Sequence, residues 1–140
     1  MLKAWGGETP ARDPNGLKRL ALVVDDSRTI RQILVRTLRQ LGFEDIREAA
    51  TGLEALRSLE ETPGVSLVLV DWNMPEMNGL DLVKALRSRP ELAQIKIVMV
   101  TTETELEQMV RALEAGANEY VMKPFTREII EDKLRLVGAI

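Results

Sequence analysis

Five short apolar runs alternate with five amphipathic segments along the chain, and no other feature restricts its fold so tightly. Leu20 to Val24 opens the series and ends in Asp25-Asp26-Ser27. Ile30, Ile33, Leu34, Leu38 and Leu41 then recur at helical spacing, and Gly42 stands where a helix C-cap belongs. The segment Phe43 to Ala49 contains a second, weaker strand, followed by a helix to about Glu60 that Thr51 and Glu54 open as a capping box. Pro63-Gly64 breaks the chain before Leu67-Val68-Leu69-Val70, an unbroken apolar run suited to a strand buried on both faces. A third helix carries Leu80, Val83 and Leu86 and stops near Pro90. Ile95 to Val100 is the fourth strand. Thr102 and Glu105 read as the cap of a fourth helix bearing Leu106, Met109, Val110 and Leu113, which Gly116 ends. Glu119 to Met122 is the fifth strand, and Thr126 starts a last helix with Ile129, Ile130, Leu134 and Val137 on one face.

Parallel strands joined by helices need right-handed crossovers, which set helices on both faces of the sheet. The predicted fold class is therefore α/β: a doubly wound, five-stranded parallel sheet in three layers. A length of 140 residues fits one domain, placed at 19–140. Residues 1–18 differ, because Gly6-Gly7, Pro10, Pro14 and Gly16 interrupt any regular pattern. They read as a flexible N-terminal tail, with a tail docked through Trp5 as the alternative. The alternation closes with the fifth helix, so no output domain is expected.

Composition removes several functions. The net charge is −3 and there is no long basic run, which argues against nucleic acid as a partner. The absence of cysteine excludes disulfides and thiolate chemistry, and the absence of histidine excludes Ser-His catalysis and a phosphohistidine carrier. No apolar run approaches the ~18 residues that would cross a bilayer. No membrane insertion is expected, and the N-terminus, without an apolar signal region, reads as cytoplasmic.

In open α/β sheets, ligands bind beyond the C-terminal ends of the strands. There this chain places Asp25 and Asp26 after strand one, Asp71 after strand three, Thr101 and Thr102 after strand four, and Lys123-Pro124 after strand five. Alone, Asp26 would read as a helix cap and Lys123 as a surface charge. Together on one edge they make a site. Converging carboxylates repel one another, and a hard divalent cation with oxygen ligands relieves that repulsion. Without histidine or cysteine, Mg²⁺ or Mn²⁺ is favoured over zinc. A lysine and a hydroxyl nearby supply what a phosphoryl group needs, and a carboxylate can serve as its nucleophile.

These residues resemble the receiver domain of bacterial two-component response regulators. Val23-Val24-Asp25-Asp26 is similar to its acidic pair, Asp71-Trp72-Asn73-Met74-Pro75 with Asn78-Gly79 to its phosphoacceptor loop, Val100-Thr101 to its hydroxyl position, and Lys123-Pro124-Phe125 to its lysine motif. The likeness covers about Lys18 to Val137 and is strongest to stand-alone, CheY-like receivers, given Trp72 and the aromatic Tyr120. It implies a flavodoxin-like (βα)5 fold with strand order 2-1-3-4-5. It implies Asp71 as phosphoacceptor and Mg²⁺ (Mn²⁺ as substitute) held by Asp26, Asp71 and the backbone carbonyl of Asn73, with Asp25 acting through water. It implies phosphoryl binding by Lys123, Thr101 and Thr102, and a cis bond between Lys123 and Pro124. Thr101 and Tyr120 would be the switch pair, Tyr120 swinging inward as Thr101 moves. Asn73 and Glu103 would set the lifetime of the phosphoryl state.

The implied partners are a CheA-like sensor histidine kinase as donor and a target on the face of the fourth helix, fifth strand and fifth helix, with the flagellar motor switch as the chemotaxis case. Glu107, Arg111, Glu114, Lys133 and Arg135 on that face would equally suit a solvated surface. The chain is expected to be a monomer and a signalling switch rather than an enzyme. A stand-alone receiver of another pathway stays open, as a phosphorelay intermediate, a phosphate sink or a regulator of a partner enzyme. A phosphohydrolase with an aspartyl nucleophile is the remote alternative, since Asn73 stands where its second aspartate would be. Ser27, Asn78 and one extra residue within 60–66 depart from the common receiver pattern.

Overall fold

The computed structural model describes residues 19–140, so the expected tail at 1–18 lies outside the described residues. Five parallel strands form one sheet in the order β2-β1-β3-β4-β5: β1 Leu20–Val24, β2 Asp45–Ala49, β3 Leu67–Val70, β4 Lys96–Thr101 and β5 Glu119–Met122. The connecting helices are α1 Arg28–Gln40, α2 Gly52–Glu61, α3 Gly79–Arg87, α4 Leu106–Ala115 and α5 Arg127–Leu136, with a short 3₁₀ turn at Pro90–Leu92. This is the doubly wound α/β fold with the strand order expected above.

Side chains alternate across each strand, so every strand feeds two cores. Leu22, Val24, Val68, Val70, Ile97 and Met99 face one side and pack with Ala55 and Leu59 of α2, Leu82, Val83 and Leu86 of α3 and Ala112 of α4. Ala21, Val23, Leu67, Leu69, Val98 and Val100 face the other and pack with Leu34 and Leu38 of α1 and Ile130 and Leu134 of α5. The residues of β1 and β3 are buried throughout. Truncating any fully buried leucine here to alanine should cost about 2–5 kcal/mol.

Helix boundaries follow from capping chemistry. Ser27, Thr51, Asn78 and Thr126 each accept a hydrogen bond from the backbone N–H three residues on, opening α1, α2, α3 and α5. Ser27 rather than Asp26 caps α1, because the Asp26 carboxylate is turned to the strand-end cluster. The second strand, Asp45–Ala49, lies within the predicted segment 43–49, and Phe43 ahead of it closes α1, its N–H donating to Leu38 O at 3.0 Å after Gly42 turns through φ 103°. The fourth helix starts later than Thr102 and Glu105 suggested. Its first residue is Leu106, and Glu105 at the cap makes no side-chain bond. Backbone atoms of Glu103 are engaged by Thr101 and Tyr120, which keeps the preceding segment out of the helix.

Candidate functional site

Register sets the site. Val24 pairs with Val70, and Asp71 N–H donates to Val24 O at 2.9 Å, so Asp25 and Asp71 leave adjacent strands side by side. One carboxylate oxygen each from Asp25, Asp26 and Asp71 lies within 4.8 Å of the others. Asp25 and Asp71 are buried and Asp26 is exposed, which gives the cluster one open side. Lys123 comes in from the end of β5: its N–H donates to Thr101 O at 2.9 Å, and its peptide bond to Pro124 is cis. Its Nζ lies 2.7 Å from Asp25 Oδ2 and 3.6 Å from Asp71 Oδ2. The ammonium therefore holds chiefly to Asp25 and leaves Asp71 the less tightly paired carboxylate.

Asp71 is tuned by its surroundings. Burial pushes its carboxyl above the ordinary range, while the Thr101 hydroxyl and Lys123 pull it back and the charge of Asp25 adds to the rise. Trp72 N–H also donates to Asp71 Oδ1 at 2.8 Å. The loop behind it is tight. Gly79 N–H donates to Trp72 O at 2.8 Å, and a Cβ at Gly79 would overlap the Asp71 carbonyl oxygen, so only glycine fits. Asn78 caps α3 through Asp81 N–H at 2.8 Å, doing there what an aspartate would do.

A second group of expected residues meets beside the cluster. Asn73 Nδ2 donates to Glu103 Oε2 at 2.8 Å, bridging the loops after β3 and β4. Tyr120 Oη donates to the Glu103 carbonyl at 2.7 Å, and Glu103 N–H lies 3.4 Å from Thr101 Oγ1. Tyr120 is buried, so this structure holds its ring inward. Its hydroxyl is pushed up to about 12 by burial and then by the charges of Glu103 and Asp71. Thr101 is buried beside Asp71, whereas Thr102 is exposed at the start of the following loop.

Sequence reasoning missed Arg31 of α1, which bonds the Asp25 carbonyl and Glu48 of β2. A lone arginine within an amphipathic helix gave no signal of that reach. It named Arg111 for the outward face but not its place beside the site, with the guanidinium 6.0 Å from the centroid of the Trp72 ring. On the same outward face Lys133 pairs with Glu119 at 3.3 Å and Arg135 with Glu131 at 2.6 Å.

All-oxygen donors, two of them buried beside a cation and one open to solvent, fit a hard divalent ion. The model of the response regulator receiver domain matches residues 21–135. The chain belongs to the response-regulator receiver family. This receiver is 48% identical over 116 residues to the chemotaxis protein CheY1 of Helicobacter pylori, covering 83% of this chain and 94% of the relative. It is 47% identical over 113 residues to a chemotaxis protein CheY homolog of Campylobacter jejuni, covering 81% and 87%. Among solved structures, the chemotaxis response regulator CheY4 of Vibrio cholerae superposes with a TM-score of 0.78 at 35% identity, covering 86% of this receiver and 98% of that chain. CheY-like receivers are signalling switches, not metabolic enzymes. No helix among the described residues is long and apolar enough to cross a membrane.

Proposed function

We propose that this receiver is a phosphorylation switch acting in chemotaxis, with Asp71 as the phosphoacceptor. The observation that carries the reading is the meeting of three carboxylates within 4.8 Å, with the Lys123 ammonium held against them. Asp26, Asp71 and the Asn73 carbonyl would hold Mg²⁺, or Mn²⁺ in its place, with Asp25 acting through water. A bound divalent ion neutralises charge on the transferring phosphoryl group. Asp71 supplies the oxygen that attacks the phosphorus of a kinase phosphohistidine. The P–N bond breaks, an acyl phosphate forms and the histidine leaves. Lys123, Thr101 and Thr102 would bind phosphoryl oxygens.

Asn73 and Glu103 follow β3 and β4, and their mutual hydrogen bond supports a role in setting how fast water removes the phosphoryl group. Thr101 and Tyr120 meet at Glu103, which supports their coupling as a switch pair read out on α4, β5 and α5. That face exposes Leu106, Val110, Leu113, Met122 and Ile129, apolar surface suited to a protein target. The relatives named for chemotaxis favour a CheA-like histidine kinase as donor and the flagellar motor switch as target, in the cytoplasm.

Trp72 reports on the site, and replacing Trp5 with phenylalanine leaves it as the sole tryptophan. Emission should change with Mg²⁺ and again with beryllofluoride, which stands in for the phosphoryl group. Asp71→Asn should abolish the second change. An unaltered beryllofluoride response in that variant would sink the assignment of Asp71.

A further inference from the structure

Asp25 is held at every polar atom. Its N–H donates to Ala49 O at 3.1 Å, its Oδ1 accepts from Ser27 N–H at 2.9 Å, and its Oδ2 takes Lys123 Nζ at 2.7 Å. Its carbonyl oxygen takes a charge-assisted hydrogen bond from Arg31 Nη1 at 2.7 Å. The guanidinium is braced on its other edge, where Nε donates to Glu48 Oε1 at 3.0 Å. The Arg31 side chain is only 16% exposed, so it is packed in place rather than waving in solvent. The carbonyl that Arg31 grips belongs to the peptide joining Asp25 to Asp26. Asp26 is the exposed carboxylate of the cluster, and the orientation of that peptide decides where it points.

We infer that Arg31, braced by Glu48, is a positioning residue for the divalent-ion site: it fixes the Asp25–Asp26 peptide and so aims Asp26 at the space between the carboxylates. The inference rests on the proposed metal-binding function. A fixed cation near a cation site would normally oppose metal binding, but here Glu48 cancels the charge of Arg31. What remains is geometric, as for outer residues that orient metal ligands generally.

That cancellation supplies the test. The double variant Arg31→Gln/Glu48→Gln removes the bracket and leaves the net charge of the chain unchanged. Mg²⁺ is titrated against Trp72 emission in the Trp5→Phe background, and urea unfolding is followed in chelator. The apparent Mg²⁺ dissociation constant should rise about tenfold, the lower end of what loss of an orienting partner costs, with the chelator midpoint close to that of the parent. Arg31→Lys keeps the charge but offers a single point donor in place of a fork, and should give a smaller rise. It carries the same test should the double variant not fold. An unchanged dissociation constant overturns the inference, as does a rise that merely follows lost stability in chelator. A parent chain that binds no Mg²⁺ would instead overturn the metal reading beneath it.

Discussion

Asp71 carries a charge where burial disfavours one, and the consequence for stability has a definite sign. Its folded-state pKa is raised, so between the unfolded value, about 3.9, and the folded one, the folded chain binds more proton than the unfolded chain. Stability from this group therefore falls as pH rises through that window and stays low above it. Asp71→Asn removes the cost. The amide can keep the bond from Trp72 N–H, and Lys123 keeps its closer partner, Asp25. In chelator at about pH 8, Asp71→Asn should be more stable than the parent by about 1 kcal/mol, an ordinary size for one substitution. The gain should shrink toward zero near about pH 3.5, below both pKa values. Urea midpoints at the two pH values decide it. An equal gain at both would mean that ionisation of Asp71 is not the source.

At the scale of elements, α4 is unlike its neighbours because its two ends are built differently. Gly116 closes the C-terminus at φ 119°, and its carbonyl accepts from Arg87 Nε at 3.0 Å, tying α4 to α3. The N-terminus has no side-chain cap, and Leu106 there is 73% exposed. Glu105→Ser would place a hydroxyl at the cap with Gln108 three residues on, completing a capping box. A good N-cap contributes about 0.5–2 kcal/mol, less the dipole benefit of the lost Glu105 charge, about 0.3–1 kcal/mol. Amide exchange in the first turn of α4 should slow and the urea midpoint should rise modestly. Unchanged exchange there would show that the missing cap is not what loosens this end. The same helix marks where reading the sequence fell short. Caps at Thr51 and Thr126 were legible because each hydroxyl is free to turn onto its own helix. Thr102 and Glu105 matched the pattern too, but Tyr120 and Thr101 hold the Glu103 backbone outside the helix, and those bonds come from residues distant in sequence or already in β4. The strand-end residues Asp25, Asp26, Asp71, Thr101 and Lys123 were legible for the opposite reason: strand ends fall where apolar runs stop. The preference of Lys123 for Asp25 over Asp71, and the grip of Arg31, depend on ångström placement that no spacing encodes.

At the scale of the molecule, the site exists only while the sheet is assembled, because Asp25 and Asp26 come from β1, Asp71 from β3 and Lys123 from β5. A ligand of the carboxylates therefore binds the folded chain alone, and its binding energy adds to global stability. At one hundred times its dissociation constant, Mg²⁺ should add about 2.7 kcal/mol. For a domain of this size that raises the thermal midpoint by roughly 10 °C, at a few degrees per kcal/mol. Asp26→Asn separates this from general salt effects. Asp26 is exposed and has a carboxylate oxygen within 4.8 Å of those of two other carboxylates, so in chelator the substitution removes like-charge repulsion and should raise the midpoint. In saturating Mg²⁺ the order should reverse, because the parent gains the full shift and the variant little of it. Calorimetry of both chains in chelator and in Mg²⁺ gives four midpoints, and the expected result is that the two lines joining them cross. Parallel lines would mean that Asp26 holds no metal, and that the open side of the cluster belongs to some other ligand.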